Sequence, residues 1–499
     1  MRRNGWNRAI ILCATILVCG GIRAGAQNTG DELSQLKSSL ATAQDELRHN
    51  KQEIDELRQR LQQIEERVGV GAKPDKGPTY PTAAIVQQEP QGVPAQPQNE
   101  DTQLLSEKIN EMDQVKVESS SKYKLRLSGL ILMNTYMNAG NVDITDLPNL
   151  AFRVGTGQPG GDFGATLRQT QLGLDVSGPR IGGAATHANL EMDFFGGFPD
   201  TQFGVNAGLV RLRTATARMD WKDTSLVFGQ DAPFIAPLNP TSYASLGQPA
   251  LSWAGNLWVW TPQIRVERRI TTGEQSHFLL QGGMLDPLTE ESPDFFNRKA
   301  TVGEHSRHPA IAGRVAWEGR VADQAAVFGF GGYYGRQNYA FDRNIDSWVV
   351  TGDWNLPLGR WVALSGEVYR GQAIGGLGGG IWTSALFNTP TLTSTTQVIG
   401  LNDVGGWSQL KLKANAKLEF NVAGGLSNPF ASDLQHFTAP TSLYGFTPLA
   451  RNQSILANSI FRPRSNLIFA LEYRHLRTYT LNGKNQQANH VNLAVGVSF

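Results

Sequence analysis

Cysteine is nearly absent from this chain, and its two cysteines lie close to the N-terminus. Cys13 and Cys19 fall inside a segment with a basic start, a short apolar core and the small-residue cleavage motif Ala24-Gly25-Ala26. These features are typical of a secretory signal peptide, which we predict over 1–26. The mature chain then has no cysteine, which excludes disulfides, thiol catalysis and thiolate metal sites.

Long apolar runs and a strong net charge are also lacking. Beyond the signal, no stretch reaches the roughly eighteen apolar residues of a transmembrane helix. An exported chain of this kind is soluble in the periplasm, secreted, or a membrane β-barrel. The formal net charge of +1 indicates no nucleic-acid partner. Glycine is abundant, with 54 residues, and both glycine and aromatic residues suit strands, turns and interfacial girdles.

The first mature segment, 27–68, carries an unbroken heptad repeat and predicts a coiled coil. Leucine, isoleucine or valine fills the first core position from Leu33 to Val68, and Asn50 is the polar exception at the second. Across neighbouring helices the flanking charges are complementary, as in Glu46 with Lys51, so the helix is expected to pair with copies of itself. We expect Asn50 to fix register and strand number.

The core residues of the coiled coil leave its oligomeric state open. Leu61 with Ile64 favours trimers or tetramers, whereas Ile54 with Leu57 favours dimers. The next segment, 69–122, begins with a proline-rich stretch and predicts an extended spacer followed by a short helix.

From residue 123 to 499 the hydrophobic pattern changes to period two. The pattern predicts an all-β transmembrane barrel of sixteen antiparallel strands, the even number typical of bacterial barrels. The predicted strands are 123–136, 166–177, 184–194, 208–220, 225–230, 261–269, 275–285, 309–318, 325–335, 345–355, 361–370, 405–413, 418–426, 454–462, 466–478 and 488–499.

The connections between these strands alternate between long and short along the whole array. Outer-membrane barrels have short periplasmic turns and long external loops, and a soluble sandwich has no reason to sort its connections in this way. Both ends of the barrel domain are then expected on the periplasmic side. The predicted long connections are 137–165, 231–260, 286–308, 371–404 and 427–453.

The last strand shows the expected two faces. From His490 to Ser498 alternate residues are small or polar, while Val491 to Phe499 supply an apolar face. A soluble sheet can show the same alternation, with its apolar side on a core. In a barrel the apolar side contacts lipid. The terminal aromatic Phe499 resembles the signal read by the bacterial barrel assembly machinery.

Several segments resemble known porins. Phe228-Gly229-Gln230-Asp231-Ala232-Pro233-Phe234 resembles the entry to the porin third loop, which folds inward and narrows the pore. Together with Leu471-Glu472-Tyr473-Arg474, the coiled coil and the spacer, the chain resembles the trimeric DcaP-like porins. The phosphate-selective porins are the related alternative. The resemblance implies a homotrimer in the bacterial outer membrane and a passive channel for small, often anionic, solutes.

The third loop is expected to set the pore, and it carries Asp231 as its single charge. The wall should therefore dominate selectivity. Inward arginines favour anions, although nearby acids are able to neutralise them. The pore-lining candidates are Arg211, Arg213, Arg265 and Arg269, with Lys124 and Arg126 on the first strand, and the acids Asp231, Glu191, Asp193 and Glu267.

Other candidate sites have simpler interpretations. The glycine run 375–380 lacks the strand before it and the helix after it that a phosphate loop needs, so it predicts a flexible external loop. His187 and His490 face the lumen without a partner at metal spacing. Trp253, Trp258 and Trp260 either stack sugars or pack the third loop against the wall.

We therefore predict a passive outer-membrane channel for small hydrophilic solutes, with a preference for small anions such as dicarboxylates. The sequence shows no catalytic arrangement, and we expect neither an enzyme nor a cofactor. The alternative is a structural anchor whose periplasmic coiled coil reaches towards the cell wall.

Overall fold

The computed structural model describes residues 123–198, 208–291, 298–321, 323–443 and 445–499. The predicted signal peptide, the coiled coil with Asn50, and the spacer lie outside these residues. No helix among the described residues is long and apolar enough to cross a membrane.

Sixteen antiparallel strands form one closed barrel, as predicted. The second strand is in two parts, separated by a break at 167–170, and both parts pair with the first strand. The strands are β1 Lys124–Ala139, β2 Gly161–Thr166 with Gln171–Ile181, β3 Ala184–Asp193, β4 Arg211–Asp220, β5 Thr224–Asp231, β6 Thr261–Gly273, β7 Ser276–Leu285, β8 Ala310–Val321, β9 Gln324–Tyr339, β10 Arg343–Pro357, β11 Val362–Gln372, β12 Asn402–Lys413, β13 Leu418–Pro429, β14 Leu449–Arg464, β15 Leu467–Thr480 and β16 Asn485–Ser498.

The barrel closes where β1 pairs with β16. Ten residue pairs join these strands, from Leu130 opposite Ser498 to Ala139 opposite Asn489. Backbone hydrogen bonds between Gly129 and Phe499 extend the seam to the last residue of the chain. Because the barrel is closed, each of its sixteen strands is paired on both sides, as a sheet surrounded by lipid requires.

Period-two alternation gives the barrel an apolar outer face. Ile131, Val315, Leu471 and Leu493 are exposed on the outside, whereas their sequence neighbours Arg314 and Glu472 are buried inside. These faces are the predicted ones. An apolar outer band with polar residues inside is the arrangement of a transmembrane barrel.

The two ends of the barrel differ in their connections. At the end that carries the chain terminus, seven turns of two to four residues join the strands. We call this the short-turn end. At the opposite end the connections are L1 (140–160), L2 (194–210), L3 (232–260), L4 (286–309), L5 (340–342), L6 (373–401), L7 (430–448) and L8 (481–484).

The predicted alternation of loop length is wrong at L5 and L8, which are tight hairpins. L5 turns through Phe341 and Asp342, both at positive φ, and L8 turns through Gly483. The adjoining strands extend further than predicted. Their ends carry polar residues on both faces, such as Arg336 and Asn344, so the period-two pattern is lost there although the strands remain paired.

The long loops contain little regular structure. Short hairpins pair Asn141–Val142 with Ala151–Phe152 in L1, and Ala385–Phe387 with Val398–Gly400 in L6. Single helical turns occur at Glu304–Ser306, Gly375–Leu377 and Ala431–Leu434.

The apolar core of the described chain lies inside the barrel, where L3 packs on the wall. Phe234 and Ile235 contact one cluster that includes Tyr333, and Leu251 belongs to a second with Trp407. Leu130 and Leu132 of β1 face inward, and Tyr243 packs against their cluster. The inner face is therefore polar with apolar patches, and those patches receive L3.

Candidate constriction of the barrel lumen

L3 leaves β5 and crosses the inside of the barrel, bound by polar side chains of the wall. Thr351 of β10 donates to the Ile235 carbonyl at 2.6 Å, and Glu367 of β11 accepts from the Leu238 amide at 2.7 Å. Further along, Gln409 of β12 accepts from the Thr241 amide at 2.7 Å. The side chain of Ser242 donates to Glu472 of β15 at 2.5 Å.

Polar side chains of the wall also bind the backbone of the next part of L3, on the other side of the lumen. Asn134 of β1 donates to the Tyr243 carbonyl at 2.9 Å. Gln169, at the break in β2, accepts from the amides of Leu246 and Gly247 at 2.6 and 3.0 Å and donates to the Ala244 carbonyl. L3 is thus attached to successive strands around the lumen, which makes it the candidate constriction.

L3 then returns to the far wall at Gly255. This glycine has φ 97°, and a Cβ there would lie 2.1 Å from the Gly406 carbonyl oxygen. The position accepts only glycine because the L3 backbone lies directly on β12 and β13.

Arg211 and Arg213 contact L3 and share one acid. Arg211 Nη2 lies 2.7 Å from Asp193 Oδ2, and Arg213 Nη1 lies 3.5 Å from it. They also donate to the carbonyls of Gly247 and Leu246. The Asp193 side chain is fully buried, whereas Arg211 keeps 24% of its surface exposed. The guanidinium groups therefore cover the carboxylate.

Aromatic rings hold these two arginines in place. The Trp260 ring lies 4.8 Å from the Arg211 guanidinium and 5.0 Å from that of Arg213. Phe195 of L2 lies beneath Arg211 and Arg168. Cation–π contacts of this kind orient a guanidinium without neutralising its charge.

Arg265 is fully engaged in a buried network and does not offer a free charge. Its guanidinium contacts Asp231 at 2.8 Å and Glu267 at 2.9 Å, and Arg218 binds the other oxygen of Glu267 at 2.9 Å. Gln281 donates to Glu267 as well. Asp231, the last residue of β5 before L3, is thus paired with the wall.

Arg269, Lys124 and Arg126 lie nearer the short-turn end. The half-buried Arg269 makes no side-chain hydrogen bond or ion pair with the described residues, and its Nε is buried without a partner. Lys124 and Arg126 are exposed on the inner face of β1, where Arg126 is opposite Asp175. The half-buried Glu191 lies opposite Thr214 on the inner face. The predicted arginines therefore form two groups, one beside L3 and one near the turns.

L1 also folds inward, which sequence reasoning missed. Arg168 donates to Asp146 of L1 through two nitrogens, and both side chains are buried. Asn149 of L1 donates to Gln248 of L3 at 2.9 Å. The sequence indicates this only through the loss of the period-two pattern at 167–170. In the structure Arg168 and Gln169 both turn inward there and hold L1 and L3.

The remaining candidates are structural. His187 contacts Ser177 and His490 contacts Asn138, and no group of three or more metal-ligating side chains occurs among the described residues. The Trp253 ring of L3 stacks on Trp382 of L6 at 5.3 Å, whereas Trp258 meets Trp260 edge to face.

The glycine run 375–380 lies in L6 and is packed against L4. A Cβ at Gly376 would lie 2.1 Å from the Leu288 carbonyl oxygen. Beside it, the buried carboxylate of Glu290 accepts from the amide and the hydroxyl of Ser384. Burial raises the pKa of Glu290, and the bonds from Ser384 oppose that shift.

Comparison with solved structures shows similarity to outer-membrane channels. The outer membrane channel DcaP of Acinetobacter baumannii matches with a TM-score of 0.59 and 15% identity, over 77% of this chain and all of that one. An anion-selective porin from Comamonas acidovorans matches with a TM-score of 0.47 and 12% identity, over 76% of this chain and all of that one. No family model and no curated protein matches the sequence. The described part of this protein has the fold of a DcaP-like porin: a closed sixteen-stranded transmembrane barrel.

Proposed function

We propose that this protein is an outer-membrane porin, a passive diffusion channel for small hydrophilic solutes with a preference for small anions such as dicarboxylates. The observation that carries the proposal is L3, which crosses the lumen and is bound to the wall by polar side chains on both sides. A barrel of sixteen strands is wide enough for an aqueous channel, and an inserted loop sets its narrowest part.

The preference for anions rests on which charges face the solute. Beside L3, Arg211 and Arg213 share Asp193, and the arginines keep 24% and 12% of their side-chain surface exposed while the acid keeps none. Lys124, Arg126 and Arg269 add cations towards the short-turn end. Fixed charges in a narrow pore with low-dielectric walls bias ion entry more strongly than in bulk water. Arg265 contributes little because Asp231 and Glu267 neutralise it, so we expect a weak preference.

The same proposal places the barrel in the bacterial outer membrane as a homotrimer. The short-turn end would face the periplasm, where the predicted coiled coil would join three copies. The outward Phe499 at the end of β16 would serve as the signal for the barrel assembly machinery.

The test is conductance of the purified full-length protein in planar bilayers. We expect open channels and a reversal potential in a potassium chloride gradient that indicates chloride preference. Small dicarboxylates should reduce the chloride current. Replacing Lys124, Arg126 and Arg269 by Gln removes three positive charges and should therefore move the reversal potential towards cation preference. These side chains do not hold L3, so the loop should stay in place.

Two outcomes contradict the proposal at different levels. A folded barrel without conductance would exclude a channel. A conducting channel that prefers cations, or that is indifferent to charge, would exclude the anion preference and leave the porin.

A further inference from the structure

The short-turn end of the barrel carries a ring of exposed cations. Five of them occupy five different hairpins around the circumference, and we call this set the collar. The collar consists of Arg180, Lys222, Arg268, Arg360 and Arg464. We propose that the collar binds the anionic headgroups of phospholipids in the membrane leaflet at this end.

Strand register places two members of the collar, Arg268 and Arg464, on the outside of the barrel. Arg268 shares the outward face of β6 with Val266 and Ile270, which are exposed apolar residues. Arg464 is paired directly with Leu467, on the outward face of β15. Register therefore directs these cations away from the lumen, in contrast to Lys124 and Arg126 on the inner face of β1.

Among the described residues, no acid forms an ion pair with a collar side chain, and Asp223, beside Lys222 in the same turn, is half-buried. Arg180, Lys222 and Arg464 make no side-chain hydrogen bond or ion pair with the described residues. Arg268 donates to the Thr224 hydroxyl at 2.7 Å, and Arg360 stacks on Trp361 at 4.8 Å. The exposed acids among the described residues of this end are Glu274 and Asp323, in the two turns that flank β7 and β8.

The apolar neighbours of the collar place it at the level of lipid headgroups. Ile181 beside Arg180, Trp221 beside Lys222, and Trp361 beside Arg360 are all exposed on the same short turns. Tryptophan collects at the boundary between hydrocarbon and headgroups. A cation next to such a side chain therefore lies within reach of a lipid phosphate, and each cation near an anionic surface contributes favourably.

The spread of the collar points to lipid as the partner. A compact ligand or a folded domain contacts one sector of a barrel rim, whereas a leaflet meets every hairpin that faces lipid. The inference is independent of whether the lumen conducts, because it concerns the outer surface.

The test compares two matched pairs of substitutions in the full-length protein. The collar pair is Lys222→Gln with Arg464→Gln. The control pair is Lys124→Gln with Arg126→Gln, which removes one lysine and one arginine from the same end but on the lumen side. Each protein is reconstituted in nanodiscs of phosphatidylethanolamine with increasing phosphatidylglycerol, and the lipids that remain bound are counted by native mass spectrometry.

We expect the unsubstituted protein to enrich phosphatidylglycerol, and the collar pair to lower that enrichment by about 25-fold, about fivefold for each of the two cations lost at an anionic surface. The control pair should leave the enrichment unchanged. Raising the salt concentration should also lower the phosphatidylglycerol enrichment of the unsubstituted protein, because salt screens charge. This measurement tests the inference even if a variant fails to fold.

Any of three results would overturn the inference: no phosphatidylglycerol enrichment by the unsubstituted protein, an equal loss of enrichment in both pairs, or no loss in the collar pair. Binding to purified peptidoglycan that depends on the collar, without any lipid enrichment, would assign these cations to the cell wall instead.

Discussion

At the scale of single residues, charge alone did not predict role. The sequence pattern does not distinguish the inward arginines of β4 and β6, which are Arg211, Arg213, Arg265 and Arg269. In the structure Arg265 is buried between Asp231 and Glu267, whereas Arg269 makes no ion pair among the described residues. Two arginines four positions apart on the same face therefore have different surroundings, one in a buried ion-pair network and one without an ion pair among the described residues.

Arg265→Gln should destabilise the barrel by about 3 kcal/mol, because it leaves Asp231 and Glu267 without their shared cation in a buried site. Arg269→Gln is the matched control on the same strand and should change the free energy of unfolding by less than about 0.5 kcal/mol. Unfolding by urea in detergent micelles, followed by tryptophan fluorescence, measures both. Equal losses in the two variants would show that the ion pairs do not stabilise β6.

Gln169 is a residue whose importance only the structure reveals. Its amide makes three hydrogen bonds to the backbone of L3, and the side chain is fully buried. Gln169→Ala should remove about 3 kcal/mol of local stabilisation. L3 would then leave the wall at this point, so single-channel conductance and its noise should rise.

The control for Gln169→Ala is Gln171→Ala, two residues along β2. The amide nitrogen of Gln171 makes no hydrogen bond among the described residues. Its loss should leave conductance unchanged. A rise of similar size in both variants would mean that the inner wall of β2, and not the attachment of L3, limits the current.

At the scale of elements, the seam between β1 and β16 depends on the last residue. The backbones of Gly129 and Phe499 exchange two hydrogen bonds at 2.9 and 3.0 Å. The Phe499 ring covers Gly129, since a Cβ there would lie 2.5 Å from the ring. The terminal aromatic thus belongs to the closed barrel and remains on its outer face.

Phe499→Ala should lower the amount of protein in the outer membrane while synthesis is unchanged, because it removes the aromatic that the assembly signal resembles. Val497→Ala, two residues earlier on the same outer face, is the control and should be tolerated. Membrane fractionation with quantitative blotting compares the two. Normal levels of Phe499→Ala under high expression would place the signal elsewhere.

At the scale of the whole molecule, the barrel should fold without the segment that precedes it. The prolines between the predicted coiled coil and β1 rule out one continuous core. Deleting residues 27–100 should leave a heat-modifiable barrel of unchanged strand content, with a weaker oligomer. Circular dichroism and gel mobility with and without heating measure these properties, and loss of the β signal would contradict two independent modules.

The sequence by itself determined the barrel. Period two, read strand by strand, predicted the faces of β1, β8 and β15 and the even number of strands, because lipid on one side and water on the other act on each residue locally. It failed locally at L5 and L8, where the strand ends carry polar residues on both faces and the alternation disappears.

Only the tertiary structure decided how the lumen is filled and which charges remain free. The contacts of L3 with Thr351, Glu367, Asn134 and Gln169 join residues far apart in the chain. A loop without periodicity carries no local signal for its path. The charge that Arg265 or Arg269 presents to a solute depends on which acids the closed barrel brings within about 3 Å of it, and only the folded chain determines those distances.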